Sequence, residues 1–224
     1  MLTRGFFDRP GPEVAPDLLG YVLEHETADG VVAVMLSEVE AYAGSIDPAS
    51  HSYRGKTGRN AVMFGPPGHA YVYFTYGMHF CANVVCSPPD VATGILLRAG
   101  RVVAGEELVR RRRGFDSARS PRDLARGPAR LCQAMGINRS QDGVDLLDPS
   151  SELRLRAAVG DERAAEPVKI EAGPRVGVSQ AADIPWRFWL AGDPTVSPYR
   201  RAVARRKTPQ TTVAPPLPTS ECPR

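Results

Sequence analysis

No stretch of this chain is long and apolar enough to read as a membrane span; its hydrophobic runs are short and broken by polar residues. The first residues, Met1-Leu2-Thr3-Arg4, lack the apolar core of a secretion signal, so an intracellular protein with no membrane partner is expected. Cysteine is scarce. Cys81, Cys86, Cys132 and Cys222 show neither the CxxC spacing of a zinc site nor the density of a disulfide scaffold, and they read as reduced thiols. His25, His69 and His79 do not combine with Glu38 in any HExxH-like spacing, so no metal site is expected. There is no internal repeat. Between Arg98 and Arg139 there is no lysine, although that segment holds eleven arginines against four acidic residues.

What is present describes one globular domain with a tail. The 224 residues are 42% hydrophobic and 24% charged, near the averages for folded proteins. The net charge of +3 hides an asymmetry, because residues 1–42 carry eight acidic and two basic side chains. The arginine-rich segment that follows suits phosphate, which a planar guanidinium binds bidentately. The Arg110–Arg113 run fits a solvated helix face equally well. Residues 1–205 are expected to fold together, and 206–224 to form a flexible Pro/Thr-rich tail with too few aliphatic residues to offset its ordering entropy.

Punctuation by proline and glycine cuts the domain into many short elements, which favours a mixed α+β architecture. A short helix capped by Asp17 is expected over 16–20, and strands over 21–26 and 31–39 joined at Asp29-Gly30. A long loop should span 43–69. Strands over 70–75 and 80–86 flank Tyr76-Gly77-Met78-His79 as a hairpin with an aromatic tip, and a strand is expected over 94–98. Helices are expected over 105–113 and 127–136, the second with proline early and glycine as its stop, so that the Gly127 amide could cap a phosphate. Further strands are expected over 168–170, 175–178 and 187–190.

Two segments carry chemistry. In Ser37-Glu38-Val39-Glu40-Ala41-Tyr42, strand alternation puts Glu38, Glu40 and Tyr42 on one face. Paired carboxylates serve hydrolytic acid–base catalysis, including that of glycoside hydrolases, but alone the pattern also fits an exposed acidic edge. The run from Gly68 to Phe80 holds five aromatic residues in a chain that is 7% aromatic. Such a hairpin can offer a stacking surface and an apolar wedge for a base stack, or it can be a tyrosine-rich core.

Taken together the segments closely resemble the alkyladenine (3-methyladenine) DNA glycosylase family. The resemblance runs through Glu38-Val39-Glu40-Ala41-Tyr42, His51-Ser52, Thr57-Gly58-Arg59-Asn60, Tyr71-Val72-Tyr73, Tyr76-Gly77-Met78, Asn83 and Leu96-Leu97-Arg98. It continues through Gly127–Ala134, Asn138-Arg139-Ser140, Arg175-Val176-Gly177-Val178 and Arg187-Phe188-Trp189, and so covers about residues 12–200.

This resemblance implies a curved, largely antiparallel sheet with surrounding helices and a protruding aromatic β-hairpin. It implies excision of alkylated or deaminated purines (3-methyladenine, 7-methylguanine, hypoxanthine) from double-stranded DNA by a monomer without a cofactor, associated with DNA inside the cell, in the cytoplasm or nucleoid if the source is bacterial. Glu40 would deprotonate the attacking water, with Arg98 helping to hold that water and opposing the effect of burial on Glu40. The flipped purine would stack between Tyr42 with His51 on one side and Tyr73 on the other. Asn83 would police its edge, while Tyr76 and Met78 enter the vacated stack. With no lysine in the matched catalytic segment, water rather than an amine should be the nucleophile. Two alternatives stay open: a damage-binding protein of the same fold without catalysis, and a carbohydrate hydrolase using Glu38 and Glu40, which would want tryptophans near the loop, where Trp186 and Trp189 do not lie in sequence.

Overall fold

The computed structural model describes residues 2–116, 119–162 and 169–202. Helices α1 (Arg4–Phe7) and α2 (Gly11–Leu18) precede strands β1 (Val22–Thr27) and β2 (Gly30–Tyr42). The loop over 43–69 holds two short 3-10 turns, and strands β3 (Ala70–Thr75), β4 (His79–Cys86) and β5 (Thr93–Ala104) follow. Helices α3 (Glu106–Arg113) and α4 (Pro128–Met135) then lead to β6 (Leu153–Arg156), β7 (Ile170–Gly173) and β8 (Arg187–Leu190). All eight strands form one curled antiparallel sheet in the order β3-β4-β5-β2-β1-β6, with β8 bridging β2 and β7.

β2 is the spine of the sheet. It pairs with β5 on one edge, and on the other with β1 in its first half and β8 in its second. Its apolar side chains change face midway: Val32, Val34 and Leu36 enter the main core, and then Val39 and Ala41 do. The switch is a β-bulge. Leu36 pairs with Gly100 and Glu38 with Ala99, so Ser37 is an extra residue in β2. A compensating irregularity follows at once, because Glu38 pairs with Ala99 and Val39 with Leu97, leaving Arg98 as the extra residue in β5. A one-residue slip inverts every side chain beyond it, so the first bulge puts Glu38, Glu40 and Tyr42 on the face opposite the main core. Gly100 is required at this crossing, since a Cβ there would collide with the Met35 carbonyl.

Several sequence expectations are corrected. The first long helix is Gly11–Leu18, with Pro12 in its first turn and Pro16 inside it; Asp17 caps nothing and instead binds Arg9 at 2.8 Å. Residues 175–178 form a turn rather than a strand, because the Arg175 side chain is drawn into the interior. β2 and β5 are both longer than expected, each stabilised by neighbours remote in sequence. Val168 and the tail over 206–224 lie outside the described residues, as does Cys222. Cys81, Cys86 and Cys132 are buried free thiols.

The Arg110–Arg113 run is mostly structural bracing. Arg110 binds Glu106 at 2.7 Å and the carbonyls of Asp116 and Arg119. Arg112 binds the Ala134 and Met135 carbonyls at the end of α4, where a cation also complements the helix dipole. Arg113 binds the Leu124 carbonyl and Gln133. Among the described residues no helix is long and apolar enough to cross a membrane, and no group of three or more metal-ligating side chains is assembled.

Candidate active site

Glu38 and Glu40 are fully buried, which removes the exposed acidic edge as a reading. The Glu40 Oε1 accepts from the Val176 amide at 2.7 Å, and its Oε2 accepts from the Tyr42 hydroxyl at 3.0 Å and faces Arg98 Nη1 at 3.2 Å. The Val176 amide and the Tyr42 hydroxyl occupy two of the roughly four lone-pair directions of the carboxylate, with the Arg98 guanidinium beside it as an ion-pair partner, which leaves room for a further donor such as water. Arg98 in turn donates from Nε to Glu38 Oε1 at 2.8 Å and from Nη2 to the Ser197 hydroxyl at 3.3 Å. Burial works against the Arg98 charge, but Glu40 and Glu38 outweigh it and hold the guanidinium above its ordinary value.

Above this cluster opens a cleft of about 430 Å³ whose lining includes Tyr42, His51, Tyr73, Tyr76, Arg98 and Val176. The residues that hold Glu40 therefore form part of the cleft lining. A smaller recess of about 70 Å³ is lined by Tyr42, His51, Tyr71, Tyr73, Met63 and Asn83, among others. Tyr71 and Tyr73 share a strand face with ring centroids 5.5 Å apart. Asn83 donates from Nδ2 to the Tyr71 carbonyl at 3.1 Å. Burial raises both the Tyr42 and Tyr73 hydroxyls above their ordinary value, so the two rings are neutral. Desolvation first, and Arg59 second, hold His51 below its ordinary 6.5.

His51 stands edge-on to Tyr73 with centroids 4.5 Å apart. A purine stacked between two rings needs roughly 7 Å, two van der Waals separations, so none fits between these two as they stand.

At the β3–β4 turn, Tyr76 is 88% exposed and Met78 68%. Tyr76 adopts φ of 51°, a left-handed conformation that costs a bulky side chain on the order of 1–3 kcal/mol. Replacing it by glycine is expected to leave the melting temperature unchanged or raised, which thermal melts would show, and a fall of several degrees would mean that the backbone there is not strained.

Sequence reasoning missed Asp47 and assigned Arg175 no role. Both side chains are fully buried and paired bidentately, with contacts of 2.6 and 2.9 Å. The Arg175 guanidinium lies 4.7 Å from the Tyr42 ring centroid and 5.2 Å from that of Trp186. It also donates to the Ala41 carbonyl, while Asp47 accepts from the amides of Ala43 and Ala49. One ion pair thus holds the back of Tyr42, the start of the 43–69 loop and the residue next to Val176. The only signal in the sequence was that Arg175 opens the Arg-Val-Gly-Val motif. Trp186, remote in sequence, packs behind this wall and not in the cleft lining. Pro128, the first residue of α4, reaches the cleft, and Gly127 caps that helix with no side-chain hydrogen bond.

The methylpurine-DNA glycosylase (MPG) family matches residues 5–194. A Streptomyces avermitilis protein named "Putative 3-methyladenine DNA glycosylase" is 52% identical over 208 residues, covering 92% of this chain and 95% of its own. Proteins of the same name from Leifsonia xyli and Mycobacterium bovis are 55% identical over 195 residues and 52% over 176, covering 84% and 76% of this chain and 88% and 82% of theirs. With a match that spans the buried carboxylates, the aromatic cleft and the exposed hairpin tip, the chain belongs to the methylpurine-DNA glycosylase family and is a DNA glycosylase of the 3-methyladenine type.

Proposed function

We propose that this chain excises N-alkylated and deaminated purines, of the 3-methyladenine, 7-methylguanine and hypoxanthine type, from double-stranded DNA and leaves an abasic site. The observation that carries the proposal is the placement of Glu40, buried and held by two hydrogen-bond donors and an ion pair whose residues line an aromatic cleft beside an exposed turn. A water on the remaining carboxylate direction attacks C1′ of the flipped nucleotide and gives its proton to Glu40. The glycosidic bond breaks, and its electron pair leaves with the purine. Arg98 orients the carboxylate and the water.

The flipped base stacks against Tyr42 and the Tyr73–His51 pair, with Asn83 at its edge. Tyr76, with Met78 beside it, fills the gap left in the duplex. Stacking is worth about 1–3 kcal/mol per base, comparable to the few kcal/mol that unstacking costs, so damaged and weakly paired bases are drawn out first. Cationic alkylpurines gain further from neutral tyrosine faces by cation–π attraction and are good leaving groups. A neutral His51 adds no competing charge.

The test is a panel of duplex oligonucleotides, each with one lesion, incubated with the protein and treated with mild alkali. Abasic sites should form at alkylated or deaminated purines and not at normal ones. Tight lesion binding without release of any base would leave a non-catalytic damage-binding protein instead.

A further inference from the structure

Glu38 and Arg187 lie outside the cleft lining, yet they are the next shell of the charge that Glu40 sees. Glu38 is fully buried and binds four donors: Arg98 Nε at 2.8 Å, Arg187 Nε at 2.7 Å, the Ser197 amide at 2.7 Å and the Ser197 hydroxyl at 2.9 Å. Arg187, on the strand that pairs with this part of β2, also donates to the Ser197 carbonyl at 2.6 Å and lies over the Trp189 ring. Burial pushes the Glu38 carboxyl up, but Arg98 and Arg187 outweigh it and hold it below its ordinary value, so it stays charged.

The four charges alternate as Arg187, Glu38, Arg98 and Glu40 and sum to zero in a buried cluster beneath the cleft. Such a chain is sensitive, because removing one member leaves another charge buried and unpaired. The other groups facing Glu40 do not upset this balance. Tyr42 on β2, Tyr73 on β3 and Cys81 on β4 are each pushed up by burial and remain neutral. Arg175, beside Val176, is matched by Asp47.

Building on the glycosylase reading above, we propose that Glu38 and Arg187 are positioning residues that balance the charge of Arg98 and thereby fix how readily Glu40 accepts a proton. Without Glu38, both arginines would act on Glu40 uncompensated and make it a weaker base. Without Arg187, Glu38 would draw on Arg98 alone and Glu40 would be left a stronger one.

The experiment is the pH profile of single-turnover release of 7-methylguanine from a duplex oligonucleotide, since a cationic base leaves without protonation and the acid limb then reports the base of this cluster. Glu38→Gln should move that limb to lower pH by roughly one unit and lower the plateau. Arg187→Gln should move it to higher pH by a similar amount. Arg187→Lys, which keeps the charge, should leave the limb in place, and the Glu38→Gln/Arg187→Gln pair should return it near the wild-type position. Circular dichroism melts establish that each variant is folded. If Glu38→Gln does not fold, Arg187→Gln against Arg187→Lys decides the matter. Shifts of the same sign, or no shift in folded variants, overturn the inference while a limb abolished by Glu40→Gln still supports the glycosylase reading. Full activity of Glu40→Gln would overturn that reading first.

Discussion

Replacing Glu40 by glutamine should slow base release under single-turnover conditions by roughly 10²–10⁴-fold, the range of a lost general base, with lesion-duplex affinity within a factor of a few of wild type. Binding should persist because the cleft walls, the wedge and the exposed cations are untouched. The substitution keeps the volume of a fully buried side chain, but it is not silent structurally. Fixed donors approach both carboxylate oxygens, the Val176 amide on one side and Arg98 on the other. The glutamine NH₂ must face one of them, and only the Tyr42 hydroxyl can reverse its role to compensate. A stability loss of about 1–3 kcal/mol is therefore expected, and the rate has to be compared well below the melting temperature of the variant. A rate within tenfold of wild type would show that Glu40 is not the base.

Asp47→Ala should be among the most destabilising single changes in the protein. It strips Arg175 of its carboxylate partner where neither side chain reaches water. Breaking a buried pair from one side costs roughly 3–5 kcal/mol because the remaining charge is left uncompensated. For a chain of this size that corresponds to a fall in melting temperature on the order of 10 °C. The consequences reach the site, because the same guanidinium supports Tyr42 and the same carboxylate gathers the Ala43 and Ala49 amides. Lesion binding should weaken even at temperatures where the variant is fully folded. Calorimetry and binding measured on one preparation separate the two effects, and a loss under 1 kcal/mol would mean that water or rearrangement rescues Arg175.

Much of this was legible in the chain because it depends on local pattern. Alternation alone put Glu38, Glu40 and Tyr42 on one face. The β-branched and aromatic runs on either side of Tyr76-Gly77 marked β3 and β4, and the Pro128 and Gly136 punctuation bounded α4 to within a residue. Asp17 misled because a capping residue type says nothing of a competing partner, here Arg9. The 175–178 segment misled because its strand-like residues sit where a buried ion pair fixes the backbone as a turn.

The sequence by itself determined which chemical groups are present, their order, and the period with which each strand presents them. It left open whether the two carboxylates lie at an exposed edge or in the interior. That was decided by contacts between residues 60, 128, 136 and 149 positions apart, which join Glu38 to Arg98, Asp47 to Arg175, Glu40 to Val176 and Glu38 to Arg187. A local pattern specifies which face a side chain takes but not the register between strands. The opposed irregularities at Ser37 and Arg98 are matters of register. They turn an acidic strand end into a buried, charge-balanced site beneath an aromatic cleft.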